Sequence, residues 1–228
     1  MRLLIVGHGR MGKIVESLAP GHDFEIVGVL DIDSNPDGKG LIAPPAADVA
    51  IEFSTPEATV QNLPLFAQHG INAVVGTTGW QQYEPRLRRL VTESSIGVVA
   101  SANFSIGANL FQSIVEHAAR QFAPSTAYGA WVYEAHHAAK KDAPSGTAIS
   151  LKAAMEAAGY SRGIDVSSTR AGYIPGTHTV GFDGPSDTVT LTHANRDRAA
   201  FALGALEAAR WVVGKRGWFT MRDVLGLP

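Results

Sequence analysis

The stretch Glu134-Ala135-His136-His137-Ala138-Ala139-Lys140-Lys141-Asp142-Ala143-Pro144-Ser145-Gly146-Thr147-Ala148 concentrates proton-carrying side chains just ahead of a helix start. Adjacent histidines on a strand point to opposite faces, so His136 and His137 are not expected to ligate one metal together. A histidine followed four residues later by Lys140 can instead bring an imidazole and an ammonium to one pocket. Ser145-Gly146-Thr147 then opens a helix whose free amides and hydroxyls suit an anion such as a carboxylate. Proton donors beside an anion-binding helix end describe a site for reducing and protonating a carboxylated substrate. Taken singly, each histidine serves as well in a purely structural hydrogen bond, and Lys141 with Asp142 reads as a solvated turn pair. The eight histidines contain no His-x-x-x-His spacing, so no metal is expected.

A second chemistry is written at the start of the chain, in Gly7-x-Gly9-x-x-Gly12. Glycine is required where a chain turns tightly out of a strand, where backbone approaches a pyrophosphate, and where helix and strand pack closely. The following helix offers unpaired N–H groups to the phosphates. Asp31, nineteen residues beyond Gly12, is placed to accept hydrogen bonds from both adenosine ribose hydroxyls, and its charge repels a 2′-phosphate. NADH is therefore favoured over NADPH; the alternative for Asp31 is a solvated turn residue. Arg10 can reach the pyrophosphate or the adenine side, or stand idle in a first helical turn. Gly76-Thr77-Thr78-Gly79 suits a carboxamide, a ribose or a substrate carboxylate, or else is a glycine-rich turn capping a helix.

These residues need elements to hold them. Arg2–Val6 reads as a strand, Lys13–Leu18 as helix, and Glu25–Leu30 as a second strand ending at Asp31, which completes a βαβ unit. Further strands, Val49–Phe53, Ala73–Val75 and Val98–Ala100, end in Ser54-Thr55-Pro56, Gly76-Thr77-Thr78-Gly79 and Ser101-Ala102-Asn103. Helix-length stretches Glu57–His69 and Tyr83–Glu93 lie between them. The alternation implies an α/β, Rossmann-like, doubly wound parallel sheet with ligands at the carboxyl ends of its strands. From Asp31 to Val49 the prolines and glycines predict an irregular loop. Beyond Asn103 the pattern becomes helix Gly107–Phe122, strand Trp131–Glu134, helix Ser145–Ala158, and strands Val166–Gly172, Thr177–Phe182 and Thr188–His193. That describes a second, α+β domain carrying an open mixed sheet. The last helix, Ala199–Val213, is assigned back to the first domain. The expected division is a dinucleotide-binding domain of residues 1–103 and 196–228, and a substrate-binding and oligomerisation domain of residues 104–195.

Composition sets the partners. A formal charge of −2 over 228 residues gives no electrostatic reason to expect nucleic acid or an acidic membrane. Zero cysteines exclude disulfides, thiolate metal sites and a thiol nucleophile. No apolar run reaches membrane-spanning length and the chain start is too short for a secretory region, so a cytoplasmic location is expected. The 24 glycines exceed an ordinary share, and the two glycine motifs account for part of the excess.

Gly9-Arg10-Met11-Gly12, Gly76-Thr77-Thr78-Gly79, Ala102-Asn103-Phe104-Ser105-Ile106-Gly107, the string from His136 to Ala148, His178-Thr179-Val180-Gly181-Phe182 and Phe201-Ala202-x-Gly204-Ala205 together resemble the 4-hydroxy-tetrahydrodipicolinate reductase family, in its order and over nearly the whole chain. The resemblance implies reduction of 4-hydroxy-tetrahydrodipicolinate by NADH or NADPH in diaminopimelate and lysine biosynthesis. It implies that Gly7 to Gly12, with Arg10 and Met11, hold the pyrophosphate and that Asp31 holds the ribose. Phe53, Gly76, Thr77, Thr78, Ser101, Ala102, Asn103 and Phe104 would line the nicotinamide side, and Arg198 and Phe201 would lie where the last helix returns to the cofactor domain. His136 and Lys140 are the implied proton donors; His137, Ser145, Gly146, Thr147 and Thr78 are the implied substrate ligands. The family is typically a homotetramer that pairs its open sheets. In this chain the Asp31–Val49 connection is shorter than the family's, leaving the adenosine side more open, and Ile32 and Asp33, not a basic residue, follow Asp31, which strengthens the lean to NADH. The competing readings are another two-domain NAD(P)H oxidoreductase of amino-acid or semialdehyde type, and a non-catalytic dinucleotide sensor. The Asp142-Ala143-Pro144-Ser145-Gly146-Thr147 string disfavours the first, and the intact His136, His137 and Lys140 disfavour the second.

Overall fold

The opening apolar run forms strand β1 (Arg2–Val6), with all four of its apolar side chains buried, as a strand covered on both faces requires. The computed structural model describes all 228 residues. After β1 come α1 (Arg10–Leu18), β2 (Glu25–Leu30), β3 (Val49–Glu52), α2 (Pro56–His69), β4 (Asn72–Val75), α3 (Glu84–Thr92) and β5 (Gly97–Ala100). They are followed by α4 (Ile106–Phe122), β6 (Gly129–His136), α5 (Gly146–Ala157), β7 (Ile164–Arg170), β8 (Thr177–Asp183) and β9 (Thr188–Ala194). The chain ends with α6 (Ala199–Val212), β10 (Gly217–Phe219) and α7 (Met221–Val224). Contacts divide the chain into two units, Met1–Ile106 with Arg198–Pro228, and Gly107–Asp197.

The first unit is built on a six-stranded parallel sheet in the order β10-β5-β4-β3-β1-β2. One face packs Val15 of α1 and Ala205, Leu206 and Ala209 of α6 against Ile5, Ile51 and Val99. The other packs Leu63 and Phe66 of α2 and Leu87 and Val91 of α3 against Leu4, Ala50 and Val98. Helices on both faces make this a Rossmann-like, doubly wound sheet. The chain runs from β1 outward to β2, then returns to the far side of β1 as β3, so a crevice opens at the carboxyl ends of β1 and β3. Helix α2 starts at that crevice because Thr55 caps it, its hydroxyl accepting from the Ala58 amide at 3.3 Å, with Pro56 in the first turn.

The connection between β2 and β3 is more ordered than a loop of prolines and glycines predicts. It contains a 3₁₀ turn over Pro36–Leu41, kinked at Asp37 and Gly38, and Leu41 is fully buried. Asn35 fastens it from below by donating Nδ2 to Asn62 Oδ1 at 3.1 Å, while Asn62 Nδ2 donates to the buried Glu52 at 3.0 Å. Strand β10, which extends the sheet beyond β5, has no counterpart in the sequence-based expectation because three residues give too little periodicity to read.

The second unit carries a mixed sheet in the order β7-β6-β8-β9, with β6 parallel to β7 and the other pairs antiparallel. Phe111, Val115 and Ala119 of α4 and Ala148, Leu151 and Met155 of α5 pack on the inward side chains Ala130, Val132, Val180 and Phe182. Alternation along the strands sends Trp131, Tyr133, Thr179, Thr190 and Thr192 to the opposite face. Together the two sheets form the α/β plus mixed α+β architecture that the sequence predicts.

Candidate active site

At the tip of β1 the chain turns through Gly7, whose φ of +91° only glycine adopts readily, and its amide donates to Leu30 O at 2.7 Å. A Cβ on Gly7 would lie 2.2 Å from the Phe53 carbonyl oxygen, and one on Gly12 would lie 2.0 Å from that of Gly7. These two glycines answer to packing. Gly9 is different: a Cβ there would meet nothing within 4 Å. It caps α1 without a side-chain bond, which leaves the first amides of the helix open to an anion.

In front of that turn lies a cavity of about 640 Å³, lined by Gly7, His8 and Gly9 at the glycine turn, by Asp31, Ile32, Asn35 and Asp37, and by Phe53, Ser54 and Thr55. Asp31 Oδ1 accepts from the amides of Asp33 and Ser34 at 3.1 and 2.9 Å and from the Ser34 hydroxyl at 2.7 Å. Those bonds, the Ser34 hydroxyl first, hold its carboxyl below the usual range. The carboxylate is thus fixed through one oxygen. No lysine or arginine lines the cavity, whereas Asp31, Asp37 and Glu57 do. The set fits a dinucleotide held by helix-end amides at its diphosphate and by a carboxylate at its ribose.

A smaller cavity of about 210 Å³ adjoins Met11, Phe53, Gly76, Ala102, Phe104, Arg198 and Phe201. The Phe53 ring lies directly on Gly76, where a Cβ would come within 2.0 Å of it, and meets Phe104 edge-on at 6.2 Å. Several residues singled out by sequence shape this region from behind. Thr77 is buried and its hydroxyl accepts from the Ser54 amide at 2.9 Å. Ser101 Oγ donates to the Asn103 carbonyl at 2.8 Å, and Asn103 Oδ1 accepts from the Ser105 amide at 2.9 Å. Thr78 and Arg10 are exposed and line neither cavity.

In the second unit the polar residues gather at the end of β6. Glu134 is fully buried and faces the helices. Its carboxylate accepts from both Arg170 nitrogens, at 2.6 and 2.8 Å, and from the Ser145 amide at 3.1 Å, and it pairs with His136 Nδ1 at 2.5 Å. Burial pushes this carboxyl up, but bonds from Arg170, Ser168, His136 and Ser145 overcome it and bring the value down to about 2. His136 is lowered by burial, against which the Glu134 charge works upward. His178 stands edge-on to His136 at 5.1 Å and shares a 3.0 Å hydrogen bond with Ser145 Oγ. Burial first, then repulsion from His136, lowers His178 to about 4. Ser145 caps α5, its hydroxyl accepting from the Ala148 amide at 3.2 Å. Gly146 follows exposed at the helix start, with Thr147 and His137 half-buried.

Lys140 Nζ donates to both Asp142 oxygens at 2.8 Å, so Asp142 is the partner of Lys140 rather than half of a solvated pair with Lys141. The ligand atoms of Glu134, His136 and His178 lie within 4.8 Å of one another, as metal ligands do. Both Glu134 oxygens are already engaged by Arg170, which places a cation where an ion's charge would fall. His136, Lys140 and Ser145, singled out by their spacing in the sequence, lie in this region, whereas the sequence assigns no role to Glu134, Arg170 or His178. Glu134 and His178 lie inside quoted motifs; Arg170 carries no signal.

Two family models match the chain: dihydrodipicolinate reductase, N-terminus, over residues 1–104, and dihydrodipicolinate reductase, C-terminus, over residues 107–225. A 4-hydroxy-tetrahydrodipicolinate reductase of Christiangramia forsetii is 35% identical, covering 99% of this chain and 98% of its own. One from Methanoculleus marisnigri is 37% identical, covering 96% of each. A solved dipicolinate-bound dihydrodipicolinate reductase from Paenisporosarcina sp. TG-14 has the same fold, with a TM-score of 0.85 over 98% of both chains at 23% identity. The chain belongs to the 4-hydroxy-tetrahydrodipicolinate reductase family, oxidoreductases that use NAD(P)H to reduce 4-hydroxy-tetrahydrodipicolinate to tetrahydrodipicolinate in diaminopimelate and lysine biosynthesis.

Proposed function

We propose that the first unit binds the dinucleotide, with NADH preferred, and that the second unit binds the dicarboxylate substrate and supplies the proton. The observation that carries this reading is the convergence, at the end of β6, of His136 fixed through Nδ1, Lys140, and the capped start of α5. In the reaction the substrate gains a hydride and a proton and loses water. The reduced nicotinamide supplies the hydride. His136, held by Nδ1, presents Nε2 as its working nitrogen; Lys140 neutralises substrate charge and shares the proton-donating task. The amides at Gly146 and Thr147, with His137, receive a substrate carboxylate.

Lys140 starts this work bound to Asp142, a carboxylate 58% exposed on its side chain, so an incoming carboxylate can take its place at little cost. The NADH preference is supported by Asp31 and Asp37 at the ribose end of the larger cavity and by the absence of a basic residue there. The charges of Asp31 and Asp37 repel a 2′-phosphate, with no lysine or arginine in the lining to offset them.

Purified protein coupled to a dihydrodipicolinate synthase reaction tests the assignment. Lys140→Ala and His136→Ala are each expected to lower kcat by about 10²-fold or more, as loss of a positioned acid does. A wild-type rate from either removes that residue from the chemistry. In the same assay kcat/KM is expected to be higher with NADH, and a strong NADPH preference would contradict the role given to Asp31.

A further inference from the structure

We propose that Glu134, braced by Arg170, is the positioning residue of this active site, one carboxylate setting both the working orientation of His136 and the start of the helix that receives substrate. The inference rests on the proton-donating role given to His136 above. A fully buried carboxylate is costly unless every lone pair is matched. Glu134 is matched on both oxygens, and its four partners come from three segments, β6, β7 and the cap of α5. Arg170 approaches from β7 with a two-pronged contact, His136 from two residues along the same strand, Ser168 from the facing strand position, and the Ser145 amide from the cap of α5. Arg170 also donates to the Asp142 carbonyl, the residue whose side chain holds Lys140.

The consequences follow from this wiring. An imidazole that gives Nδ1–H to a carboxylate has its tautomer and ring plane fixed, so Nε2 is the nitrogen that exchanges a proton with substrate. The ring is further confined by Gly176, where a Cβ would come within 3.1 Å of Nε2, and by His178 standing edge-on. Arg170 prevents Glu134 from turning toward any other donor. Because Glu134 also accepts from Ser145, the orientation of His136 and the position of the α5 amino end depend on one group.

The groups facing His136 are Glu134 from its own strand, Arg170 from β7, His178 from β8 and Lys140 from the following turn. Glu134 favours the protonated ring, and Lys140 and Arg170 oppose it. Removing the Glu134 charge therefore moves His136 titration to lower pH, and removing the Arg170 charge moves it to higher pH. General loosening of the site does something else, returning a ring lowered by burial upward toward its ordinary value in both variants.

The test is Glu134→Gln and Arg170→Gln in the full-length protein, with histidine ring carbons followed by NMR across pH and the His136 signal assigned from His136→Gln. The expected result for Glu134→Gln is a downward shift of His136 titration, a tenfold or greater loss of kcat, and an unchanged KM for NADH. An upward or unmoved titration in Glu134→Gln, or wild-type kcat, overturns the proposal. If that variant does not fold, Arg170→Gln is compared with the charge-keeping Arg170→Lys: an upward shift with lost kcat is expected in the first, and both returned toward wild type in the second. An unmoved titration in Arg170→Gln, or an upward shift that Arg170→Lys leaves in place as general loosening would, overturns the proposal. Wild-type turnover in His136→Ala with both shifts intact would instead remove His136 from the chemistry and leave the positioning standing.

Discussion

His178 stays neutral inside the folded second unit because burial and the neighbouring His136 lower it to about 4, while in the unfolded chain it titrates near its ordinary 6.5. Between those values the unfolded state binds the extra proton, so stability is full above about pH 6.5 and falls as pH drops toward 4. The group is 6% exposed, and the shift corresponds to a loss of up to about 3 kcal/mol across that window. His136 and His193 are lowered as well and act in the same direction. Below about 4.5 the loss continues, because Glu134 keeps its charge in the fold down to about 2 while the unfolded carboxyl takes up a proton. Urea unfolding at pH 7, 6, 5 and 4 is expected to show a steady decline, and His178→Gln a clearly shallower one between 6.5 and 4. Equal slopes in the two proteins would exclude His178 as a source of the acid sensitivity.

At the scale of elements, the turn from β1 into α1 is tied together at Gly12, where helix backbone touches strand-tip backbone with no room for a methyl group. Gly12→Ala must push α1 away from Gly7, and the amides that face the larger cavity move with it. The expected cost is about 1–3 kcal/mol of stability together with a raised KM for NADH. Gly9→Ala meets open space and is expected to retain the fold while affecting only dinucleotide binding. Thermal unfolding and NADH titration of the two variants separate these outcomes, and equal stability losses would contradict the division of roles. This turn was legible in the sequence because strand, glycines and helix are contiguous and each leaves its own periodicity or spacing. The end of β6 was legible only in part. His136, Lys140 and Ser145 lie within ten residues of one another, but Arg170 reaches Glu134 only because β6 and β7 pair in parallel with Glu134 opposite Ser168. His178 arrives through the antiparallel register of β8, directly across from Glu134. Pairing register is a tertiary result, and single-strand patterns do not contain it. The 3₁₀ turn at Pro36–Leu41 escaped for a related reason: it is held by Asn35 and Asn62, side chains 27 residues apart.

At the scale of the whole molecule, the mixed sheet has one face covered by α4 and α5 and one face without a helix. On that open face Trp131 lies across Gly181, where a Cβ would fall within 2.1 Å of the indole. Around it stand Tyr133 and threonines 179, 190 and 192, and Thr179 and Thr192 bond each other across β8 and β9 at 3.0 Å. Small side chains around one large aromatic give the low relief that lets two sheets stack face to face at about 10 Å. A second copy presents the same surface, and isologous pairing buries both at once. A homotetramer built on that pairing would double it through a second symmetric contact, and that is the assembly predicted for this chain. Sedimentation equilibrium at micromolar protein is expected to return four times the 24.1 kDa chain mass. The variant Thr190→Arg with Thr192→Arg places two charges on exposed positions that the isolated chain tolerates, and it is expected to reduce the assembly to smaller species without lowering helix content. A tetramer that survives both arginines would mean that this sheet face is not the interface, and a wild-type monomer would leave the face as solvent-exposed sheet that its threonines keep soluble.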